Sequence, residues 1–173
     1  MSTLAHPAVA GVVRALRAAG LDSAADGVRV LDGEARTAAL AAAALGVPVG
    51  AIANSLVFAA TIDGREHPLL ALTSGAHRAD TAVLARRVGA DAVGRATPAF
   101  VREHTGQAIG GVAPVGHPAP LRTLVDKHLE RYPVVWAAAG HAKTVFPTSY
   151  KDLVTLTGGA AADVSGEEDD PDS

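Results

Sequence analysis

The stretch spanning residues 51–73 constrains the fold more than any other part of the chain. It reads Ala-Ile-Ala-Asn-Ser-Leu-Val-Phe-Ala-Ala-Thr-Ile62, then Asp63-Gly64, then reaches His67-Pro-Leu-Leu-Ala-Leu-Thr73. Apolar and β-branched runs on either side of Asp-Gly predict two antiparallel strands joined by a tight hairpin, because that dipeptide tolerates positive φ at both central turn positions. Both faces of the pair are apolar, so it belongs in the middle of a sheet with each face covered.

The remaining periodicity supplies the covers. Residues 6–19 place Val9, Val12, Val13 and Leu16 on one face of a helix, with Pro7 in the first turn and Gly20 at its end. Further helices are predicted over 34–45, stopped by Gly46-Val47-Pro48, and over 79–88, with Asp80 near the start and Gly89 as the stop. Another runs from Pro98 to His104 with Thr97 as N-cap, and a last one over 149–157 is expected to be capped by Thr148. Short strands are expected over 28–31, 93–96, 121–125, 134–139 and 144–146, with a helical turn over 126–131. Hairpin and crossover connections both occur, so the fold class is α/β: a single domain with a mixed central sheet flanked by helices.

The domain is expected to cover residues 1–160, and 161–173 to form an acidic, disordered tail. Of the 18 acidic residues, Asp163, Glu167, Glu168, Asp169, Asp170 and Asp172 lie near the C-terminus, leaving 12 against 15 basic residues elsewhere. The chain's net charge of −3 thus hides a mildly basic body, compatible with an RNA partner. With aromatics at 3%, alanine, valine and leucine must fill the core. No apolar run approaches the roughly 18 residues of a membrane span. Cysteine is absent, which removes disulfides, a thiol nucleophile and thiolate metal sites. A cytoplasmic location is expected, with no membrane or DNA partner.

The working surface is expected at residues 104–118, His-Thr-Gly-Gln-Ala-Ile-Gly-Gly-Val-Ala-Pro-Val-Gly-His-Pro. Alternating glycine and proline give a shaped loop, suited either to turning corners or to holding a ligand against the main chain. Its Gly111–Gly116 spacing suggests a phosphate loop, but His117 and Pro118 stand where lysine and Ser/Thr are needed. No dinucleotide fingerprint, nucleophile elbow or zinc-protease motif is present, and the 7 histidines lack metal-ligand spacing, so no metal and no cofactor are expected. The polar residues left unexplained are Asn54 and Ser55 within a strand, His77 after one, His117 in the loop, Asp126, and the Gly140-His141 pair. Each has a structural reading as well: Asn54 and Ser55 at a bulge, Asp126 as a helix N-cap, the histidines simply solvated.

Four blocks in order resemble the YbaK/prolyl-tRNA synthetase-associated domain family. They are Thr37–Phe58 (T-A-A-x-A-A-A-A-L-G-V-P-x-x-x-I-x-N-S-L-V-F), Leu84–Ala90 (L-A-R-R-V-G-A), Thr105–Gly116 (T-G-x-x-I-G-G-V-A-P-V-G), and the ending A-A-A-G followed by S-Y-K-D-L-V-T-L-T-G. The resemblance spans roughly residues 6–159 and implies an aminoacyl-tRNA deacylase, hydrolysing the ester of a tRNA mischarged with a small amino acid, such as cysteine or alanine on tRNA for proline. It implies a tRNA acceptor end as partner, with an aminoacyl-tRNA synthetase as a second. The family's G-x-x-x-P motif falls on Gly110-Gly111-Val112-Ala113-Pro114, its lysine position holds Asn54, and its acidic position holds Asp126. The implied catalytic set is therefore Asn54, Gly110, Gly111 and Asp126. Substrate contacts would come from Ser55, His77, Val112, Ala113, Pro114, Gly116, His117, Gly140 and His141. Loss of the lysine leaves an alternative, a non-catalytic module that binds a tRNA end, a nucleotide or a synthetase; an unrelated small-molecule enzyme is a third. Arg78, Arg86, Arg87 and Arg122 are candidates for the acceptor stem, or else plain solvated surface.

Overall fold

The computed structural model describes residues 3–166. In chain order the elements are α1 (Pro7–Ala18), α2 (Asp22–Asp26), β1 (Arg29–Val30), α3 (Ala38–Leu45), β2 (Ile52–Ile62), β3 (Arg65–Ser74), α4 (Thr81–Val88), β4 (Ala92–Arg95) and α5 (Pro98–Thr105). They continue with β5 (Arg122–Asp126), a 3₁₀ turn (Lys127–Arg131), β6 (Val135–Ala138), β7 (Thr144–Thr148), α6 (Tyr150–Thr157) and β8 (Ala160–Ala162).

The apolar hairpin is the centre of the sheet, as its two-sided pattern requires. The strand order is β1-β7-β6-β2-β3-β5-β8, with β4 also paired to β2. Antiparallel β2–β3 pairing runs from Ala53↔Ser74 to Ile62↔Arg65, and Asp63 (φ 52°) and Gly64 (φ 78°) close the turn. The β2–β6, β3–β5 and β5–β8 pairs are parallel, so the sheet is mixed. Alternation along β3 feeds two cores. Leu70 and Leu72 pack with Val12 and Leu16 of α1 and Leu153 of α6, whereas Leu69 and Ala71 pack with Leu84 and Val88 of α4. A smaller third cluster joins Ala41 and Ala42 of α3 to Ile52, with Trp136 against it.

One feature of this topology positions the site. On the edge of β2 away from β3, β6 pairs only with Ile52 and Ala53, and β4 pairs only with Phe58 to Thr61. Residues 54–57 therefore have no strand partner on that edge among the described residues. The sheet splits at Asn54.

Several boundaries differ from the sequence expectation. Residues 34–37 are not helical: the Thr37 hydroxyl accepts the Leu40 N–H at 3.2 Å and starts α3 at Ala38, leaving the preceding segment as a loop. The last helix is capped by Ser149, whose hydroxyl accepts the Asp152 N–H, while Thr148 ends β7. Helix α2 was not expected; five residues are too few for a periodic signal. The expected domain end at residue 160 falls inside β8, which continues the sheet, and Asp163 and Val164 beyond it are buried. The expected tail is thus folded through this part, because Ala161, Ala162 and Val164 are apolar and the parallel β5 edge offers backbone partners. Residues 167–173 lie outside the described residues.

Candidate functional site

A cavity of about 190 Å³ opens where the sheet splits. Its walls are Ala53, Asn54, Ser55 and Leu56 of β2, Trp136 to Ala138 of β6, Ala35 to Ala38 before and in α3, and Ile109, Gly110 and Val112 of the glycine loop. His141 and Thr144 complete it. Most of the wall is small or apolar, and Asn54 is half-buried. The Asn54 amide forms no side-chain hydrogen bond among the described residues, so its donors and acceptor remain for a ligand.

The loop is held from beneath. The amide of buried Gln107 spans it, with Oε1 accepting the Ala113 N–H at 2.7 Å and Nε2 donating to the Val115 carbonyl at 3.0 Å. Thr105 ties down the start: its hydroxyl donates to the Val101 carbonyl at 2.7 Å and accepts the Gln107 N–H at 3.0 Å. At the tip, Gly110 adopts φ +98°, which disfavours any side chain, and an added Cβ would meet the Arg36 guanidinium at 2.6 Å. Gly111 serves a different purpose: an added Cβ would stand 2.5 Å from the His141 carbonyl carbon and 2.7 Å from the Ala142 nitrogen. Its carbonyl accepts the Gly140 N–H at 3.0 Å, joining the loop to the β6–β7 connection.

This bracing decides which amides are available. The Gly111 N–H points back to the Ala108 carbonyl at 3.3 Å and the Ala113 N–H is taken by Gln107. The amides of Gly110 and Val112 make no hydrogen bond among the described residues, and both residues line the cavity. His141 adds a fixed donor. Its Nδ1 accepts the Lys143 N–H at 3.0 Å, so the neutral ring carries its proton on Nε2. The His141 main chain is anchored as well: the Thr144 hydroxyl accepts its N–H at 3.2 Å and donates to its carbonyl at 3.0 Å.

The expected site residues separate into groups. Asn54, Ser55, Gly110, Val112 and His141 line one cavity; Gly111 and Gly140 brace the loop behind it. Asp126 is elsewhere. Its fully buried carboxylate accepts the Ser74 N–H at 3.0 Å and the His128 N–H at 3.0 Å, and lies 2.9 Å from His77 Nδ1. Those bonds consume the carboxylate in fixing the end of β3 and capping the 3₁₀ turn, so neither Asp126 nor His77 lines the cavity. Pro114, Gly116 and His117 likewise face a separate hollow against α1, and Ala113 is wholly buried. The His117 Nε2 donates to the Ala113 carbonyl at 2.8 Å, and burial pushes this imidazole below its ordinary value despite that bond. Among the arginines proposed for the acceptor stem, Arg87 is held by Asp163 and Arg122 donates to the Val88 carbonyl. Arg78 and Arg86 are exposed.

Sequence reasoning missed Arg36, Thr37, Ile109, Trp136 and Thr144. Trp136 had a signal, being the sole tryptophan of an aromatic-poor chain. Its ring lies under the Arg29 guanidinium at 5.0 Å. Arg36 had none: its Nε pairs with Glu34 at 2.8 Å and its Nη1 donates to the Ile109 carbonyl at 3.3 Å, a contact across 73 residues. The hydrogen bond from Arg36, with its charge, holds the Glu34 carboxyl below the ordinary range. Among the described residues no group of three or more His, Asp or Glu could hold a metal ion, and no helix is long and apolar enough to cross a membrane.

A side-chain-free bend is set over a split in a mixed sheet, and the cavity between them is small and lined mostly by small or apolar residues. Residues 32–156 match the aminoacyl-tRNA editing domain, and the chain belongs to that family. The fold is YbaK-like. A crystal structure of a candidate trans-editing enzyme for prolyl tRNA synthetase is 41% identical, with a TM-score of 0.81, covering 92% of this chain and 97% of that one. A scaffold from epitope backbone grafting by computational design is 38% identical, with a TM-score of 0.83, covering 92% and 98%. A hypothetical protein is 28% identical, with a TM-score of 0.78, covering 89% and 98%.

Proposed function

We propose that this protein hydrolyses the ester joining a small amino acid to the 3′ end of a tRNA. The observation that carries this reading is the cavity between Asn54 and the Gly110 bend, with the Gly110 and Val112 amides left without a protein acceptor. At about 190 Å³ it is smaller than the roughly 300–1,000 Å³ of pockets that enclose drug-sized ligands, so it suits the aminoacyl group and leaves the nucleoside at the mouth.

Water attacks the ester carbonyl, and the tetrahedral intermediate places its oxyanion at the Gly110 and Val112 amides. With water as nucleophile, the acyl C–O bond then breaks, the ribose oxygen takes up a proton, and the free amino acid leaves. Such donors are typically worth about 2.7–4 kcal/mol each. Positioning plus oxyanion stabilisation needs no protein nucleophile, consistent with the absence of a Ser/His/Asp set at the cavity. Asn54 orients the substrate by hydrogen bonding where the family pattern has lysine. Ala53, Ala137 and Ala138 limit the size of the acyl group, the exclusion logic of a second sieve. The substrate we infer is cysteine or alanine on tRNA for proline, acted on in the cytoplasm; the likeness to a candidate trans-editing enzyme for prolyl tRNA synthetase supports the tRNA and that synthetase as partners.

The test is release of amino acid from a panel of tRNAs charged with cysteine, alanine, serine and threonine. Uniform background rates across the panel would refute the reading. The neutral Asn54 favours one alternative, a binding module that retains the pocket without turnover. Asn54→Lys separates the two: it creates activity from background in a module, and alters or lowers existing activity in a working deacylase.

A further inference from the structure

We propose that a second hollow, beside the aminoacyl cavity, holds the phosphodiester that precedes the terminal nucleoside of the RNA. The inference rests on the deacylase reading and adds a subsite to it. The hollow, of about 240 Å³, is lined by His6, Arg36, Arg102, Gln107, His141 and neighbouring backbone. Arg36, Ile109, His141 and Ala142 are shared with the first cavity, and the glycine loop forms the rim between them, Gly110 lining one side and Gly111 the other.

The lining is one-sided in its chemistry. No carboxylate lines the hollow; the nearest one established, Glu34, stands behind Arg36, paired with its Nε at 2.8 Å. Arg102, on the last turn of α5, is exposed and its side chain has no hydrogen bond or ion pair among the described residues. Arg36 is half-committed, to Glu34 through Nε and to the Ile109 carbonyl through Nη1, which leaves Nη2. His6 Nδ1 accepts the Ala8 N–H at 3.2 Å and His141 Nδ1 accepts the Lys143 N–H at 3.0 Å. Both neutral rings therefore present Nε2–H, and their centroids are 5.3 Å apart. The Gln107 amide oxygen already accepts the Ala113 N–H. The positive end of α1, which begins at Pro7, adds to the same field.

Side-chain donors with no carboxylate among them suit an anion, and guanidinium forks match phosphate oxygens. In an RNA whose 3′ ester occupies the first cavity, the nearest anion is the phosphodiester one nucleoside away, and the neighbouring hollow is where it would fall. Ile109, 54% exposed on the shared rim, gives the intervening nucleoside an apolar surface. The cation absent at Asn54 is thereby supplied from the opposite side of the loop.

The experiment titrates the full chain by calorimetry with 3′-alanylamino-3′-deoxyadenosine, with its 5′-phosphate, and with inorganic phosphate. The phosphorylated probe is expected to bind at least tenfold more tightly than the nucleoside. Arg102→Gln should abolish that gain and leave nucleoside binding and the melting temperature unchanged. With charged minihelix as substrate the same variant should raise KM several-fold at nearly constant kcat, whereas aminoacyl-adenosine should be turned over as before. Equal binding of the two probes, or a gain that survives Arg102→Gln, overturns the subsite while leaving the deacylase reading intact. Inorganic phosphate binding as tightly as the phosphorylated probe assigns the hollow to free phosphate and overturns it too. Failure of both adenosine probes, with no deacylation of the tRNA panel, sinks the underlying function.

Discussion

Gly111→Ala is the most direct perturbation of the architecture that shapes the site. The new Cβ would stand 2.5 Å from the His141 carbonyl carbon, whereas ordinary contact begins at 3.4 Å. Backbone lies on both sides of the clash, so no side chain can swing away. The loop and the β6–β7 connection must separate by about 0.9 Å, at an overpacking cost of about 1–3 kcal/mol. That separation also stretches the 3.0 Å bond from the Gly140 N–H to the Gly111 carbonyl, a further loss of about 0.5–1.5 kcal/mol. For a chain of this size each kcal/mol shifts the melting temperature by about 2–4 °C, so a drop of roughly 3–18 °C is expected. The same displacement moves the Gly110 and Val112 amides off the proposed oxyanion position, and a misplacement of about 1 Å can cost roughly 100-fold in rate. Thermal melts report the first effect and single-turnover deacylation the second. Gly33→Ala is the control, since nothing lies within 4 Å of a Cβ built there. A Gly111→Ala protein with unchanged melting temperature and rate would refute this account of the loop.

Asn54→Ala should lower kcat/KM by about 10–100-fold, the cost of one hydrogen bond to a polarised ester, with little change in denaturation midpoint because the native amide bonds no protein group. Asp126→Ala should cost about 2–6 kcal/mol in urea unfolding, since it takes the acceptor from the buried Ser74 and His128 amides, yet leave kcat near wild type where the fold persists. His117 makes stability depend on pH. The folded ring binds its proton less tightly than the unfolded one, so its contribution is full above the ordinary value of 6.5 and is lost as pH falls from there through the folded value. His117→Gln should flatten that part of the pH–stability curve, and an unchanged slope would contradict the assignment.

Local patterning was enough for the frame. The central hairpin follows from two apolar runs around Asp63-Gly64, because a strand buried on both faces must be apolar at every position. Thr97, Asp80 and Gly89 mark helix ends through bonds within a single turn, which sequence neighbours alone can form. Where expectation failed, the deciding partner was either a cap three residues away, as at Thr37 and Ser149, or a strand distant in sequence. Thr37 shortened α3 locally, but β8 exists only because β5 presents an open edge to it.

The composition of the site divides in the same way. From sequence alone come a glycine-rich bend at 110–111 and a polar interruption at Asn54, since both are anomalies of residue type within their own segments. Tertiary structure alone decides that β6 and β4 part at residue 54, that Arg36 crosses to Ile109, and that Asp126 is spent inside the protein. Residue type sets which bonds a group can make; only the folded chain determines which partners lie close enough to claim them first.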